Sequence, residues 1–254
     1  MSEKSPFDGV RLILFDLDGT LRDVRPTSLQ ALVAYGKDLG LSFDLEARRA
    51  AIRWSHEYWA EGRAAIRYDR ERLGEEAFLD SYLRGYLKVM GVDHQTGDSE
   101  EAVVTKIVAR FREEFSPEPY LEPGAKELLW NLREAGFTLG LVSNRDEPLT
   151  GLAIELGIIE HFNFTLAAGQ VDSWKPDAAI FRHALRMGGD AAPGEAVYIG
   201  DNYYADVVGA RGAGIRAVLV DKEGAFPEAK DECLIISKLS ELKDAVPDRS
   251  SRAR

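Results

Sequence analysis

Asp16-Leu17-Asp18-Gly19-Thr20 stands directly behind the apolar run Val10-Arg11-Leu12-Ile13-Leu14-Phe15. The run is short and almost continuously apolar, as expected of a strand buried on both faces of a parallel sheet. Two carboxylates at i and i+2, followed by Gly-Thr at the strand's end, form a candidate site for group transfer to an anion. One carboxylate can attack a phosphoryl group while the other moves a proton, and glycine lets backbone N–H groups approach the anion. Asp-x-Asp-Gly also occurs in ordinary turns and calcium loops, so the rest of the chain has to supply a cation, a positive clamp and a metal site.

Downstream of Asp23 the texture changes. As far as Phe115, apolar residues recur at helical spacing, as in Leu29, Leu32 and Val33, or Phe78, Tyr82, Leu83 and Tyr86. This spacing predicts several amphipathic helices, broken by a polar stretch at Gly91–Ser99. Ser116-Pro117-Glu118-Pro119-Tyr120-Leu121-Glu122-Pro123-Gly124 reads as a linker, because its prolines cannot sit inside a helix. After it, helices and strands alternate. Strands are expected at Phe137–Val142, Phe162–Ala167, Ala196–Ile199 and Ala217–Val220, with helices near Ala125–Ala135, Leu149–Leu156, Ala178–Met187 and Ala205–Ala213. Alternation of this kind implies an α/β fold, a Rossmann-like doubly wound parallel sheet. The expected organisation is a catalytic core of residues 1–22 and 117–254, interrupted by an all-α cap domain of residues 23–116. Pro247–Arg254 reads as a polar tail.

Three further groups fall at strand ends or in the loops beyond them. Ser143-Asn144 follows the strand Phe137–Val142 and offers a hydroxyl and loop N–H groups to a phosphate oxygen. Lys175-Pro176 precedes a helix and offers a compact positive charge. Gly200-Asp201-Asn202-Tyr203-Tyr204-Ala205-Asp206 adds two carboxylates at a strand-to-helix turn. Each group alone is also an ordinary cap, turn or surface dipeptide; together, in this order, they make the inventory of a phosphoryl-transfer site. A carboxylate nucleophile and a dianionic phosphate repel each other, so a cation must lie between them. Magnesium suits an all-oxygen site that uses one or two carboxylates, which Asp16 and Asp201 can provide.

These motifs resemble the haloacid dehalogenase superfamily, in its phosphatase branch with an all-helical cap after the first motif, of the phosphoglycolate phosphatase-like kind. The matching residues are Asp16-Leu17-Asp18-Gly19-Thr20-Leu21, Ser143-Asn144, Lys175-Pro176 and Gly200-Asp201 through Gly209-Ala210. The resemblance implies that Asp16 attacks phosphorus to give an aspartyl-phosphate. It also implies that Asp18 protonates the leaving oxygen and then activates water, with its backbone carbonyl helping to bind Mg2+. Asp16, Asp18 and Asp201 are then the metal ligands, and Asp206 supports the metal's waters or orients Lys175. Ser143, Asn144 and Lys175 hold the phosphate, and Lys175 also serves the chemistry. The insert corresponds to the cap that touches the substrate's leaving group. Within it, Trp54-Ser55-His56-Glu57-Tyr58-Trp59, near Arg53 and Arg63, either lines a substrate pocket or packs between cap helices. Arg67, Tyr68 and Arg70 read as a solvated face, and His94 has no partner pattern.

The expected activity is hydrolysis of a small phosphomonoester by a magnesium-dependent phosphatase. Other members suggest a phosphomutase of the β-phosphoglucomutase kind, a dehalogenase, a phosphonatase or a non-catalytic phospho-ligand binding protein. Family dehalogenases lack an acid two residues after the nucleophile, so Asp18 favours phosphate chemistry. Lys37, Lys88 and Lys106 stand in no context matching the Schiff-base lysine of phosphonate-cleaving relatives.

Composition bounds the partners. At 254 residues, 45% hydrophobic and 30% charged, the chain has the make-up of a globular protein with a sizeable core. A formal net charge of −11 argues against non-specific nucleic-acid binding, leaving a small phosphorylated metabolite as the expected partner. No run approaches the ~20 apolar residues of a membrane span. Cys233 stands alone, so no disulfide forms within the chain. With no apolar signal segment in Met1–Pro6, the expected location is cytoplasmic.

Overall fold

The computed structural model of the chain describes residues 5–60, 66, 70–92 and 100–247. The first strand, β1 (Leu12–Phe15), has all its side chains at 0% exposure. Its alternation sends Ile13 and Phe15 into a cluster with Leu128, Leu129 and Leu132, while Leu12 lies against Gly188 at the end of the helix Ala178–Met187. A strand covered on both faces must be apolar at every position, which is why this run has no polar alternation.

Five more strands join it: β4 (Thr138–Ser143), β5 (Phe164–Ala167), β6 (Ala196–Gly200), β7 (Arg216–Val220) and β8 (Leu234–Ile236). The short strands β2 (Arg22–Arg25) and β3 (Glu118–Leu121) form a separate two-stranded sheet. The six-stranded sheet runs β5-β4-β1-β6-β7-β8 with every pair parallel. The chain builds outward from β1 to β4 and β5, then crosses back to lay β6, β7 and β8 on the other side. This is the Rossmann-like doubly wound sheet. Phe15 pairs with Leu141 on one side and Ile199 on the other, so Asp16, Ser143 and Asp201 all leave the sheet at one end. The strand order reverses beside β1, and the crevice outside the carboxyl ends at such a point is where open α/β sheets take ligands.

Three details differ from the sequence reading. The proline-rich segment is not wholly a linker, since Glu118–Leu121 pairs as a strand; a two-stranded ribbon has only edges, where proline's missing N–H is tolerated. The strand Leu234–Ile236 is too short to carry a periodic signal of its own. The expected helix Ala205–Ala213 is a π-helical turn, Tyr203–Val208, followed by a short α-helix, Gly209–Gly212. Asn202 starts that turn by accepting the Ala205 N–H at 2.9 Å.

The chain divides into two compact units, Met1–Asp23 with Leu121–Arg254, and Val24–Tyr120. The second contains the helices Ser28–Asp38, Leu45–Ala60, Glu75–Val89 and Glu100–Glu114. Thr27 and Gln30 cap the first of these reciprocally. Leu32, Leu83, Leu87 and Ile107 form the unit's buried centre. Trp54 stacks on Tyr82 with ring centroids 5.4 Å apart, and a Cβ on Gly85 would lie 2.6 Å from the Trp54 ring. The Tyr82 hydroxyl accepts Trp59 Nε1–H at 3.2 Å and lies 2.7 Å from Ser55 Oγ. Trp54 and Tyr58 thus pack against the unit's core, whereas Trp59 is 41% exposed. Arg63, Arg67, Tyr68, His94, most of the Gly91–Ser99 break and residues 248–254 lie outside the described residues.

Candidate active site

Asp16 extends the pairing of β1 with β6 by donating its N–H to Ile199 O at 2.9 Å. The chain then turns sharply at Gly19, with φ +85°; a Cβ there would lie 2.2 Å from Asp201 Oδ2. Only glycine fits, because the positive φ and the approach of a carboxylate coincide. Thr20 Oγ1 donates to Asp201 Oδ1 at 3.1 Å, joining the loops after β1 and β6. Gly200 has the same relation to the second carboxylate of its loop, since a Cβ would lie 2.2 Å from Asp206 Oδ2.

Lys175 lies at the centre, with 3% of its side chain exposed. Its ammonium donates to Asp16 Oδ1 and Asp206 Oδ1, both at 2.6 Å, and to the Tyr198 hydroxyl at 2.8 Å. The three donors of the ammonium are thereby spent. Burial favours the neutral amine, but Asp16 and Asp206 outweigh it and hold the Lys175 pKa well above its usual value. Tyr198 donates its own O–H to Val142 O at 2.9 Å, and burial pushes its pKa well up.

Burial also raises the Asp16 pKa well above the carboxylate range; Lys175 opposes this, and Asp206 and Asp201 add to it. Asp201 is pushed up to about 7 by desolvation and then by Asp206. Carboxylate oxygens of Asp16, Asp201 and Asp206 lie within 4.8 Å of one another. Three acids converge beside one lysine, and the donors are all hard oxygens. Such a cluster fits Mg2+. Within it, Asp206 is the most committed to the chain, since Oδ1 takes Lys175 and Oδ2 accepts the Asn202 N–H at 2.9 Å.

Two sequence-assigned residues have side-chain partners that the sequence does not name. The Asp18 carboxylate is not in the acid cluster. Arg145 Nε donates to its Oδ2 at 2.6 Å and Nη2 to its Oδ1 at 2.9 Å, while Arg22 Nη1 donates to Oδ1 at 2.6 Å. Burial would raise the Asp18 pKa, but Arg145 and Arg22 together hold it below the usual carboxylate range. The Asn144 side chain is turned to Lys175 rather than into the crevice: Oδ1 accepts the Lys175 N–H at 2.7 Å and Nδ2 donates to Lys175 O at 2.8 Å. Ser143, buried at the carboxyl end of β4, stands at the same sheet end as Asp16 and Asp201.

Sequence reasoning passed over Tyr198, Arg145 and Arg22. Tyr198 did leave a signal, as the one residue with a polar tip in the buried strand Ala196–Gly200.

The model of the haloacid dehalogenase-like hydrolases matches residues 10–214 of this chain. The chain belongs to that family. Among similar proteins is the phosphoserine phosphatase of Thermus thermophilus, 34% identical over 86% of this chain and 91% of that protein. Another is the ribulose-1,5-bisphosphate 5-phosphatase of Halopiger xanaduensis, 28% identical over 92% of this chain and 98% of that one. Among solved structures, a 2-haloacid dehalogenase from Pseudomonas syringae superposes with a TM-score of 0.52 at 25% identity, covering 93% of this chain and 97% of that one. The chain is thus a hydrolase of this family, with relatives named as phosphatases. Among the described residues, no helix is long and apolar enough to cross a membrane.

Proposed function

We propose that the protein is a magnesium-dependent phosphatase that hydrolyses a small phosphomonoester through an aspartyl-phosphate on Asp16. The observation that carries this reading is the division of labour between the two aspartates. Asp16 is clustered with Asp201, Asp206 and Lys175, whereas the carboxylate of Asp18, two residues on, is held apart by arginines. Dehalogenation has no leaving oxygen to protonate and no use for a second carboxylate at that point.

Asp16 Oδ1 faces Lys175, and Oδ2 is the carboxylate oxygen available to attack phosphorus in line with the leaving alcohol. Mg2+ bound by Asp16 and Asp201, with the Asp18 carbonyl as a third contact, would neutralise charge between the carboxylate and the phosphate. Lys175 opposes the effect of burial on the nucleophile and meets the negative charge of the transferring group. Ser143, with the main chain of Asn144, binds phosphate oxygens, and the Asn144 amide fixes Lys175. Asp206 orients the lysine. Asp18, ionised while it is paired with the arginines, has to free an oxygen from them and take a proton from solvent. It then gives that proton to the alcohol as the P–O bond breaks and takes one from the water that hydrolyses the acyl phosphate, which leaves it protonated as it was before the bond broke.

Residues 23–116 are proposed as the cap. Their support is helical character and insertion in the chain between the first aspartates and Ser143. Phosphoserine and ribulose 1,5-bisphosphate, named in the relatives above, both carry a further anion on the alcohol side, and a small acidic phosphomonoester is the substrate class we favour. The test is turnover of p-nitrophenyl phosphate by the purified protein. Release that requires Mg2+ and is lost in Asp16→Asn supports the reading; release that survives chelation, or is unchanged in Asp16→Asn, overturns it.

A further inference from the structure

Asp18 is surrounded by more positive charge than it can neutralise. Arg145 holds it with a two-pronged fork at 2.6 and 2.9 Å, and Arg22 adds a contact at 2.6 Å. When Asp18 carries a proton to the ester oxygen, both guanidiniums lose their counter-charge beside the leaving group. The Arg145 and Asp18 side chains are 40% and 38% exposed, so the pair is open to exchange with a solute. The main chain of Arg145 is fixed: its carbonyl accepts the Gly169 N–H at 3.0 Å, and a Cβ on Gly169 would lie 2.2 Å from Asp146 O. These contacts tie the loop's main chain, and the half-exposed side chain is the part with room to move. Arg22 is less free, at 19% exposure, and its Nε is buried without a hydrogen-bond partner.

We propose that Arg145 is a specificity-determining residue: it exchanges Asp18 for a second anionic group, a carboxylate or a further phosphate, on the alcohol side of the substrate. A planar guanidinium fork matches either group in a bidentate manner. The exchange couples recognition to chemistry, because an anion that occupies Arg145 frees Asp18 Oδ2 for the ester oxygen while Arg22 still holds Oδ1, whereas a neutral alcohol leaves both oxygens tied to arginine. Selectivity then arises from a group left unpaired when the wrong substrate binds. The inference rests on the phosphomonoesterase reading but extends it from the phosphate to the leaving group.

The test compares kcat/KM, with Mg2+ present, for 2-hydroxyethyl phosphate, for 2-phosphoglycolate, which replaces its terminal carbinol with a carboxylate, and for ethane-1,2-diyl bisphosphate. The wild type is expected to favour at least one anionic substrate over the neutral one by about tenfold or more, equivalent to about 1.4 kcal/mol. The anion that wins identifies the group Arg145 takes. Arg145→Gln is expected to bring that ratio close to one, and Arg145→Lys to leave it between the two. A ratio within one preparation is independent of the active fraction, so partial misfolding of a variant does not disturb the readout. A wild-type ratio near one for both anions, or a ratio that survives in Arg145→Gln, overturns the inference and leaves the phosphatase reading intact. Failure to hydrolyse any of the three overturns the inference; the phosphatase reading falls with it only if p-nitrophenyl phosphate is not hydrolysed either.

Discussion

Asn144 holds both main-chain polar groups of Lys175: its side-chain oxygen accepts the lysine N–H at 2.7 Å and its side-chain nitrogen donates to the lysine carbonyl at 2.8 Å. The bridge spans 31 residues of sequence and sets where the ammonium meets Asp16. Replacing Asn144 with alanine removes both contacts while leaving every charged group of the pocket in place. The expected result is a fall in kcat of about 10- to 100-fold with a much smaller change in KM, because small misplacements of a charge-stabilising group are costly. Steady-state kinetics on p-nitrophenyl phosphate measures this, and a change confined to KM contradicts it.

Tyr198 is the hidden support of the same lysine. Its hydroxyl accepts from Lys175 at 2.8 Å and donates to Val142 O at 2.9 Å, all out of solvent. Tyr198→Phe keeps the ring but leaves an ammonium proton and a carbonyl without partners. The cost should be about 1–3 kcal/mol in urea unfolding, together with a loss of kcat. Unaltered stability would show that water replaces the hydroxyl.

Gly19 offers a test of the loop geometry. Its φ is +85°, and Asp201 Oδ2 lies only 2.2 Å from where a Cβ would stand, so Gly19→Ala meets backbone strain and a carboxylate together. The expected loss is at least about 1 kcal/mol of stability. The thermal gain on adding Mg2+ should also shrink, because Asp201 has to move. Equal melting behaviour of the variant and the wild type in Mg2+ contradicts this account.

The acid cluster predicts a pH dependence with a definite sign. Burial and Asp206 push Asp201 up to about 7, so the folded chain binds this proton more tightly than the unfolded chain does. Without metal, the stabilisation is present at low pH and is lost as pH rises from the ordinary carboxylate range through about 7. Mg2+ binds the ionised form, so its gain in Tm should be larger near about pH 8 than near about pH 5. Asp201→Asn should raise the metal-free Tm at the higher pH and remove most of the Mg2+ gain. Differential scanning fluorimetry across pH, with Mg2+ or chelator, reads both; a Mg2+ gain that is constant with pH contradicts the assignment.

The elements legible in the sequence were those with a local signature. A strand buried on both faces has to be a run of apolar residues, so Leu12–Phe15 was readable, and Asp16 follows because its chemistry begins where the strand stops. Ser143, Lys175 and Asp201 were readable for the same reason, each lying at or beyond a strand end. The surroundings of Asp18 were not. Arg145 lies 127 residues away from it, and an arginine in a loop looks the same in sequence whether it faces water or a carboxylate. The π-helical turn at Tyr203–Val208 was read as ordinary helix because its departure is a matter of hydrogen-bond register, which composition does not encode. The orientation of Asn144 likewise depends on where Lys175 arrives in three dimensions.

The central claim is that Asp16 becomes covalently phosphorylated and that Asp18 governs release. Asp18→Asn with p-nitrophenyl phosphate and Mg2+ tests it most directly, since this leaving group needs little protonation to depart while hydrolysis of the intermediate still needs the base. Rapid acid quench followed by peptide mass spectrometry should show a burst of nitrophenol close to the enzyme concentration, with a phosphoryl adduct on the peptide bearing Asp16. Steady release without a burst, or an adduct carried by any other residue, would contradict the account.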